Sequence, residues 1–208
     1  MKKTLCFAFA ASLLSSAPAF AQVVQKDGFY GSLSAGYLQL RDREGTAEGV
    51  SGELEYDAGY AITGAVGYKS GPFRGELELG YARSGVDTVT GGGLELGADA
   101  DIDIFTASVN GYYDIQTGTA FTPYLGAGIG LAHSSIDDVT VSFGGQSETF
   151  DGDSSTDLLL QAEAGLSYAV APNVSVVPAY RFVWINNGGN GIDDDTAHLF
   201  KIGVRVGF

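Results

Sequence analysis

The chain closes on His198-Leu-Phe-Lys-Ile-Gly-Val-Arg-Val-Gly-Phe208. Phe200, Ile202, Val204, Val206 and Phe208 occupy one phase of a period-2 pattern, and Lys201, Gly203, Arg205 and Gly207 the other. Successive side chains of a β-strand point to opposite faces, so the stretch reads as a strand with one apolar and one polar face. It runs to the last residue, an aromatic with a free carboxylate, and the strand itself is therefore expected to be needed at the end.

The same alternation recurs upstream. Eight segments carry it, at about 28 to 40, 54 to 69, 73 to 83, 103 to 114, 120 to 133, 156 to 169, 174 to 185 and 197 to 208. Each is long enough to cross a bilayer as a tilted strand of about 9–11 residues. The connections at 70 to 72, 115 to 119 and 170 to 173 are short and hold Gly, Pro or Asn, whereas those at 41 to 53, 84 to 102, 134 to 155 and 186 to 196 are long. Strict alternation of short and long predicts an all-β, eight-stranded antiparallel transmembrane β-barrel, with short turns facing a periplasm and long loops facing outward.

A soluble ligand-binding barrel shares the period but turns its apolar face inward, so the direction of the faces needs its own argument. Aromatics on the apolar face recur eight residues apart, as Phe29 and Tyr37, Tyr60 and Tyr68, Phe73 and Tyr81, Phe105 and Tyr113, and Phe200 and Phe208. Eight residues at about 3.4 Å, tilted by about 40°, rise roughly 21 Å, close to the ~25 Å apolar band of membrane barrels. These pairs read as two aromatic girdles. The opposite face is rich in small residues, among them Ser32, Ser34, Gly36, Gly126, Gly128, Gly130, Gly165 and Ser167, which leave room for longer side chains in a narrow lumen. In the fifth segment Pro123, Leu125, Ala127, Ile129 and Leu131 form an uncharged face. The fourth breaks phase, with apolar residues at Ile102 and Ile104 and then at Phe105, Ala107 and Val109, and a bulge near Ile104 or a shifted register is expected there.

Lys2 and Lys3, an apolar run over residues 5 to 14 and the small residues before Ala21 predict a secretory signal at 1–21 and a barrel domain at 22–208. The single cysteine, Cys6, leaves with that signal, and the remaining chain has no thiol to mispair in an oxidising periplasm. Thirty-one glycines with abundant Tyr, Phe, Val and Thr favour strands and tight turns. A net charge of −14 opposes nucleic-acid binding.

Several stretches add a resemblance. Arg74-Gly-Glu-Leu-Glu-Leu-Gly-Tyr81, Asn110-Gly-Tyr-Tyr-Asp114, Phe121-Thr-Pro-Tyr-Leu-Gly-Ala-Gly-Ile-Gly130, Ala164-Gly-Leu-Ser-Tyr168, Pro172-Asn173, Tyr180-Arg-Phe182 and the closing Phe208 follow one another in order. Together they resemble the small outer-membrane β-barrel proteins of Gram-negative bacteria, of the opacity-protein and porin-like surface-antigen type. The resemblance implies an eight-stranded barrel with variable surface loops in the cell outer membrane, and its members are variously structural proteins, adhesins, antigens or modest pores. It also implies partners: outer-membrane lipid and lipopolysaccharide, periplasmic chaperones, and the insertion machinery, whose signal the terminal Phe208 resembles.

On the presumed lumen face stand Lys69, Arg74, Glu76, Glu78, Gln161, Glu163, Arg181, Lys201 and Arg205. Buried charge is costly unless paired, so these nine are expected to form a network that plugs the barrel, with Glu163 and Arg181 as its leading pair. The competing reading is a charged constriction that selects small solutes. Most acids gather in the long loops and nearby strand ends: Asp42, Glu44, Glu48, Glu53, Glu55 and Asp57; Asp87, Glu95, Asp99, Asp101 and Asp103; Asp137, Asp138, Glu148, Asp151, Asp153 and Asp157; Asp193, Asp194 and Asp195. Mutually repelling, solvated loops are the plain reading, and loosely bound divalent cations bridging them to lipopolysaccharide the functional one. No cofactor motif is present.

His133, Ser135 and Glu148 supply the residue types of a serine hydrolase but no accompanying motif, and a triad is recognised by geometry. His198 shows no evident partner in the sequence. The expected function is structural and surface-interactive, not enzymatic, with a host or surface ligand at the loops. A narrow porin-like channel is the alternative, and an outer-leaflet lipid hydrolase the remote one.

Overall fold

The computed structural model describes residues 27–40, 43–47, 50–56, 58–91, 94–136, 139–143, 146–150, 154–186 and 195–208. The expected signal segment at 1–21 lies outside them. Among the described residues there are twelve strands: β1 (Gly28–Leu40), β2 (Arg43–Ala47), β3 (Val50–Tyr56), β4 (Gly59–Ser70), β5 (Phe73–Gly91), β6 (Leu94–Asp114), β7 (Phe121–Ile136), β8 (Val139–Phe143), β9 (Gln146–Phe150), β10 (Ser154–Ala171), β11 (Val174–Asn186) and β12 (Asp195–Gly207). Eight of them, β1, β4, β5, β6, β7, β10, β11 and β12, pair antiparallel around a closed circuit. The first and last strands seal it, with Tyr30 opposite Gly207 and Leu40 opposite Ala197. Closure leaves no open edge in the wall, the condition a sheet must meet to sit in hydrocarbon.

The strand ends follow from local chemistry. Ser70 pairs with Phe73 across Gly71 and Pro72, and Gly71 takes φ of 57°. A positive φ followed by the fixed negative φ of proline suits a primed two-residue hairpin turn, which glycine enters without steric cost. Thr117 and Thr119 close the turn between β6 and β7 by hydrogen bonding to the Phe121 carbonyl. The chain end is tied down by Gly207 N–H to the Asn173 carbonyl at 2.8 Å and Phe208 N–H to the Phe29 carbonyl at 3.0 Å.

The wall is inverted relative to a soluble barrel. Leu33, Val66, Leu77, Leu79, Val109, Leu125, Ile129 and Ile202 are exposed on its outside, Leu79 at 70%. Inside, buried polar and charged residues share the lumen with a set of apolar ones. A contiguous apolar belt of this extent marks a surface that meets lipid or another apolar phase.

Two expectations need correction. The stretch 84 to 102, expected as a loop, is mostly strand, because β5 continues to Gly91 and β6 starts at Leu94. Within the first long connection, β2 pairs with β3 and β3 pairs with the outer part of β5, extending the sheet beyond the wall. The bulge expected near Ile104 is also absent. The β6–β7 register runs unbroken from Ile102–Ile136 to Asp114–Tyr124, and the irregularity in the β5–β6 ladder lies between Val86 and Thr88, opposite Ala100 and Gly97. Ile104 faces inward in normal phase and packs in a lumen cluster with Ala132, Leu159 and Ile185. The apparent phase break is an apolar residue belonging inside.

Glycines of the lumen face have a specific use. Tyr30 lies directly opposite Gly67, Tyr112 opposite Gly126 and Tyr124 opposite Gly165. In each pair the ring covers the space where the glycine's Cβ would stand. Gly126→Ala is therefore expected to lower stability by about 1–3 kcal/mol through overpacking. Gly111→Ala, whose Cβ would meet nothing within 4 Å, is the matched control and should change it by less than about 0.5 kcal/mol. Equal urea midpoints for the two variants would refute the packing argument.

Candidate functional site

The nine lumen residues named from the sequence all point inward, and barrel closure brings seven of them into two connected groups, with Gln161 and Arg205 outside both. Near the short-turn end Asp114 accepts from Lys69 Nζ at 2.8 Å and from Arg74 Nε at 2.9 Å. Arg74 Nη1 lies 3.1 Å from Glu76 Oε1, which also accepts from the Tyr30 hydroxyl at 2.7 Å. The Arg74 guanidinium stands over the rings of Tyr112 and Tyr124, 4.4 and 4.8 Å from their centroids. Lys69 is anchored further by the Gly71 carbonyl at 2.8 Å.

The second group centres on Arg181. Its Nε donates to Glu163 Oε2 at 2.7 Å, and its two terminal nitrogens grip Glu78 from across the lumen in a fork, Nη2 at 2.8 Å from Oε2. Lys201 Nζ reaches Glu163 Oε2 at 2.8 Å and Glu78 Oε2 at 3.8 Å. Tyr124 donates its hydroxyl to Glu163 Oε1 at 2.8 Å and so joins the two groups. Gln161 does not meet the charges, and its amide bonds to Asn110 and, at 3.2 Å, to Ser108. Paired and hydrogen-bonded in this way, buried charges retain their ionised forms at tolerable cost.

Sequence reading missed Asp114, which raises the lumen carboxylates from three to four against five cations. It also missed the tyrosines 30, 112 and 124. The signal was present, since Asp114 ends β6 in inward phase and each tyrosine has a glycine as cross-strand partner. The apolar filling of the long-loop end of the lumen was not read from the sequence. Leu38, Ala61, Ala197 and Leu199 form one apolar cluster there and Ile104, Ala132, Leu159 and Ile185 another, bridged by Ala82 and Val183.

Several spaces lie within and between these layers. A cavity of about 230 Å³ opens at the short-turn end, bordered by Lys69, Asp114, Thr117 and Ser175. One of about 20 Å³ lies within the charged network and one of about 60 Å³ lies between Arg181 and the apolar clusters.

On the outer wall the predicted girdle residues neighbour one another in two belts. Phe29 contacts Tyr68 at 4.9 Å between ring centroids and Phe73 contacts Tyr113 at 5.4 Å near the short turns. Phe121 and Tyr168, at 4.7 Å, extend that belt, and Phe208 lies beside it, 84% exposed. Near the long loops Tyr60 meets Tyr81, Tyr81 meets Phe105 and Tyr180 meets Phe200, and Tyr37 is the cross-strand partner of both Tyr60 and Phe200. His198 does have a partner: its Nδ1 is 2.7 Å from the Tyr180 hydroxyl.

The hydrolase trio is not assembled. His133 Nδ1 is engaged by the Thr156 hydroxyl at 2.9 Å. Ser135 lies two positions along the same strand and pairs across to Asp103 and Ser154. Glu148 belongs to β9, which pairs with β8 in a separate sheet. Of the loop acids, Asp42, Glu48, Asp57, Asp137, Asp138, Asp151, Asp153, Asp193 and Asp194 lie outside the described residues. Asp103 accepts from the Tyr81 hydroxyl at 2.6 Å, and Arg83 Nε lies 3.9 Å from the same oxygen.

Comparison with known proteins agrees with this architecture. A family model described as outer membrane protein beta-barrel domain matches residues 7–208. Outer membrane protein PagN of Salmonella typhimurium is 35% identical over 113 residues, which cover 53% of this chain and 46% of PagN. The match thus spans about half the length of that relative. Neisserial surface protein A superposes with a TM-score of 0.58 at 24% identity, covering 87% of this chain and 97% of that one. OprG from Pseudomonas aeruginosa superposes with a TM-score of 0.56 at 17% identity, covering 90% and 99%. The two superpositions establish the likeness of fold.

Proposed function

The chain belongs to the outer-membrane protein β-barrel family, and from that premise we propose that it acts as a closed membrane anchor whose acidic outer loops are its working surface. Its place is the cell outer membrane, with the apolar wall toward lipid and the aromatic belts at the two interfaces. The observation that carries the proposal is the lumen. A polar network and an apolar layer occupy it in series, with spaces of about 20 and 60 Å³ within and beside them, an arrangement that favours a closed barrel over a pore. A barrel that passes nothing acts through what it displays.

The display is acidic, because 25 acids face 11 lysines and arginines in the chain and most acids fall in the outer connections. Such loops suit basic partner surfaces, in the manner of an adhesin or surface antigen. Divalent cations would let the same loops lie against the phosphates of lipopolysaccharide. Periplasmic chaperones and the insertion machinery are its expected partners on the way to the membrane. The bond between His133 and Thr156 engages that histidine away from Ser135, which supports the non-catalytic reading over the lipid hydrolase.

The test is a loop variant. Cells displaying the protein should adhere to a polylysine-coated surface more strongly than cells lacking it. Replacing Asp151, Asp153, Asp193, Asp194 and Asp195 by Asn should bring adhesion down to the level of cells lacking the protein. The same variant should lose the sensitivity of lipopolysaccharide association to a chelator. Undiminished adhesion with equal chelator sensitivity would overturn the proposal.

A further inference from the structure

Among the described residues Arg205 is the lumen cation that no carboxylate grips, although Arg74 Nη2 is a buried orphan as well. Arg205 is 3% exposed, yet its Nε and Nη1 meet no hydrogen-bond partner. The guanidinium lies 5.3 and 5.8 Å from the ring centroids of Tyr30 and Tyr124. Aromatic faces attract a cation but offset only part of the cost of stripping its water, and arginine does not escape by losing its proton.

The carboxylates nearby are already engaged. Asp114 serves Lys69 and Arg74, Glu76 serves Arg74 and Tyr30, Glu78 serves Arg181, and Glu163 serves Arg181, Lys201 and Tyr124. Within the buried network on the short-turn side of the apolar clusters, five cations thus face four carboxylates among the described residues, one positive charge in excess; Asp27, exposed at the mouth of the open cavity, lies outside that network. The cavity of about 20 Å³ is lined by Arg205 together with Ser32, Ser34, Lys201 and Gly203. That space suits a single species about the size of a water molecule. Glu76, Glu78 and Glu163 border it as well, but each is neutralised by the cations that grip it.

We propose that this cavity is a binding site for one small inorganic anion of the chloride type, held by the Arg205 guanidinium. A water would satisfy the orphan N–H groups but leave the excess charge buried, whereas a monoanion does both. Access is from the short-turn end. Ser175, the cross-strand partner of Arg205, lines the open cavity there, and the apolar clusters close the other side. A lumen opened by mutation would therefore favour anions, with Arg205 as the selecting residue.

The decisive experiment is a bromide soak of crystals of the protein purified from outer membranes. An anomalous peak within hydrogen-bond distance of the Arg205 guanidinium is expected. In parallel, thermal unfolding in detergent is followed as chloride replaces gluconate at constant ionic strength. The midpoint should climb with chloride, as linkage requires of a ligand bound only by the folded state. This dependence should vanish in Arg205→Met. The absence of bromide at Arg205 overturns the proposal and assigns the acceptor as water. A chloride dependence that persists in Arg205→Met overturns it too. Should that variant not fold, the bromide map of the unmodified protein decides alone.

Discussion

The protein in planar lipid bilayers is expected to carry no steady ion current, and the double variant Glu163→Ala/Arg181→Ala is expected to stay nearly silent. Removing that pair loosens the charged network around Glu78 and Lys201. It leaves untouched the layer made by Leu38, Leu199, Ile104, Leu159 and Ile185. A narrow apolar constriction blocks ions by excluding water, so either layer suffices as a seal. Leu159→Ser with Leu199→Ser should likewise stay silent alone. Current should appear when the two double changes are combined. Steady channels from the unmodified protein would refute the closed lumen and return the narrow pore as the function. Conduction by Glu163→Ala/Arg181→Ala alone would show that the apolar layer is no barrier.

Arg181→Met should be the most damaging single substitution in the lumen, lowering stability by about 3–5 kcal/mol. The side chain is 3% exposed and ties Glu78 on β5 to Glu163 on β10. Its loss leaves Glu163 with Lys201 and Tyr124, but leaves Glu78 with only Lys201 at 3.8 Å. A buried carboxylate so poorly matched is what makes breaking an ion pair costlier than never having had it. Adding Glu78→Gln to Arg181→Met should therefore recover most of the loss. Urea midpoints for reversible folding into detergent micelles provide the measurement. A double variant whose loss equals the sum of the two single losses would show that the pair is not coupled.

Much of this protein was legible in one dimension because a strand's side-chain direction depends on parity alone. The closing strand, the girdle pairs spaced by eight residues and the inward Lys69, Arg74 and Arg181 follow from counting odd and even positions. Turn positions were equally local, as with the glycine and proline between Ser70 and Phe73. The outer extension of β6 was not read as strand although Leu94, Leu96, Ala98, Ala100 and Ile102 alternate there with Glu95, Asp99, Asp101 and Asp103, because this apolar set has the parity opposite to that of the lipid-facing Phe105, Ala107 and Val109. Ile104 was misassigned for a related reason. Its parity was correct, but an inward isoleucine looks like an error until Ala132, Leu159 and Ile185 are placed beside it.

The sequence by itself therefore determined that the chain is a barrel, which face meets lipid, where the short hairpins turn and, Asp114 apart, which charges enter the lumen. These properties belong to single strands and their immediate turns, where geometry repeats every two residues. Only the tertiary structure decided how the interior is joined. Arg181 and Glu78 stand 103 residues apart in the chain and on strands that are not neighbours. Asp114 meets Lys69 across the intervening β5. Such contacts depend on the stagger at which eight strands close, a quantity no single strand encodes. The same closure stacks an apolar layer over an ionic one and leaves Arg205 without a carboxylate partner.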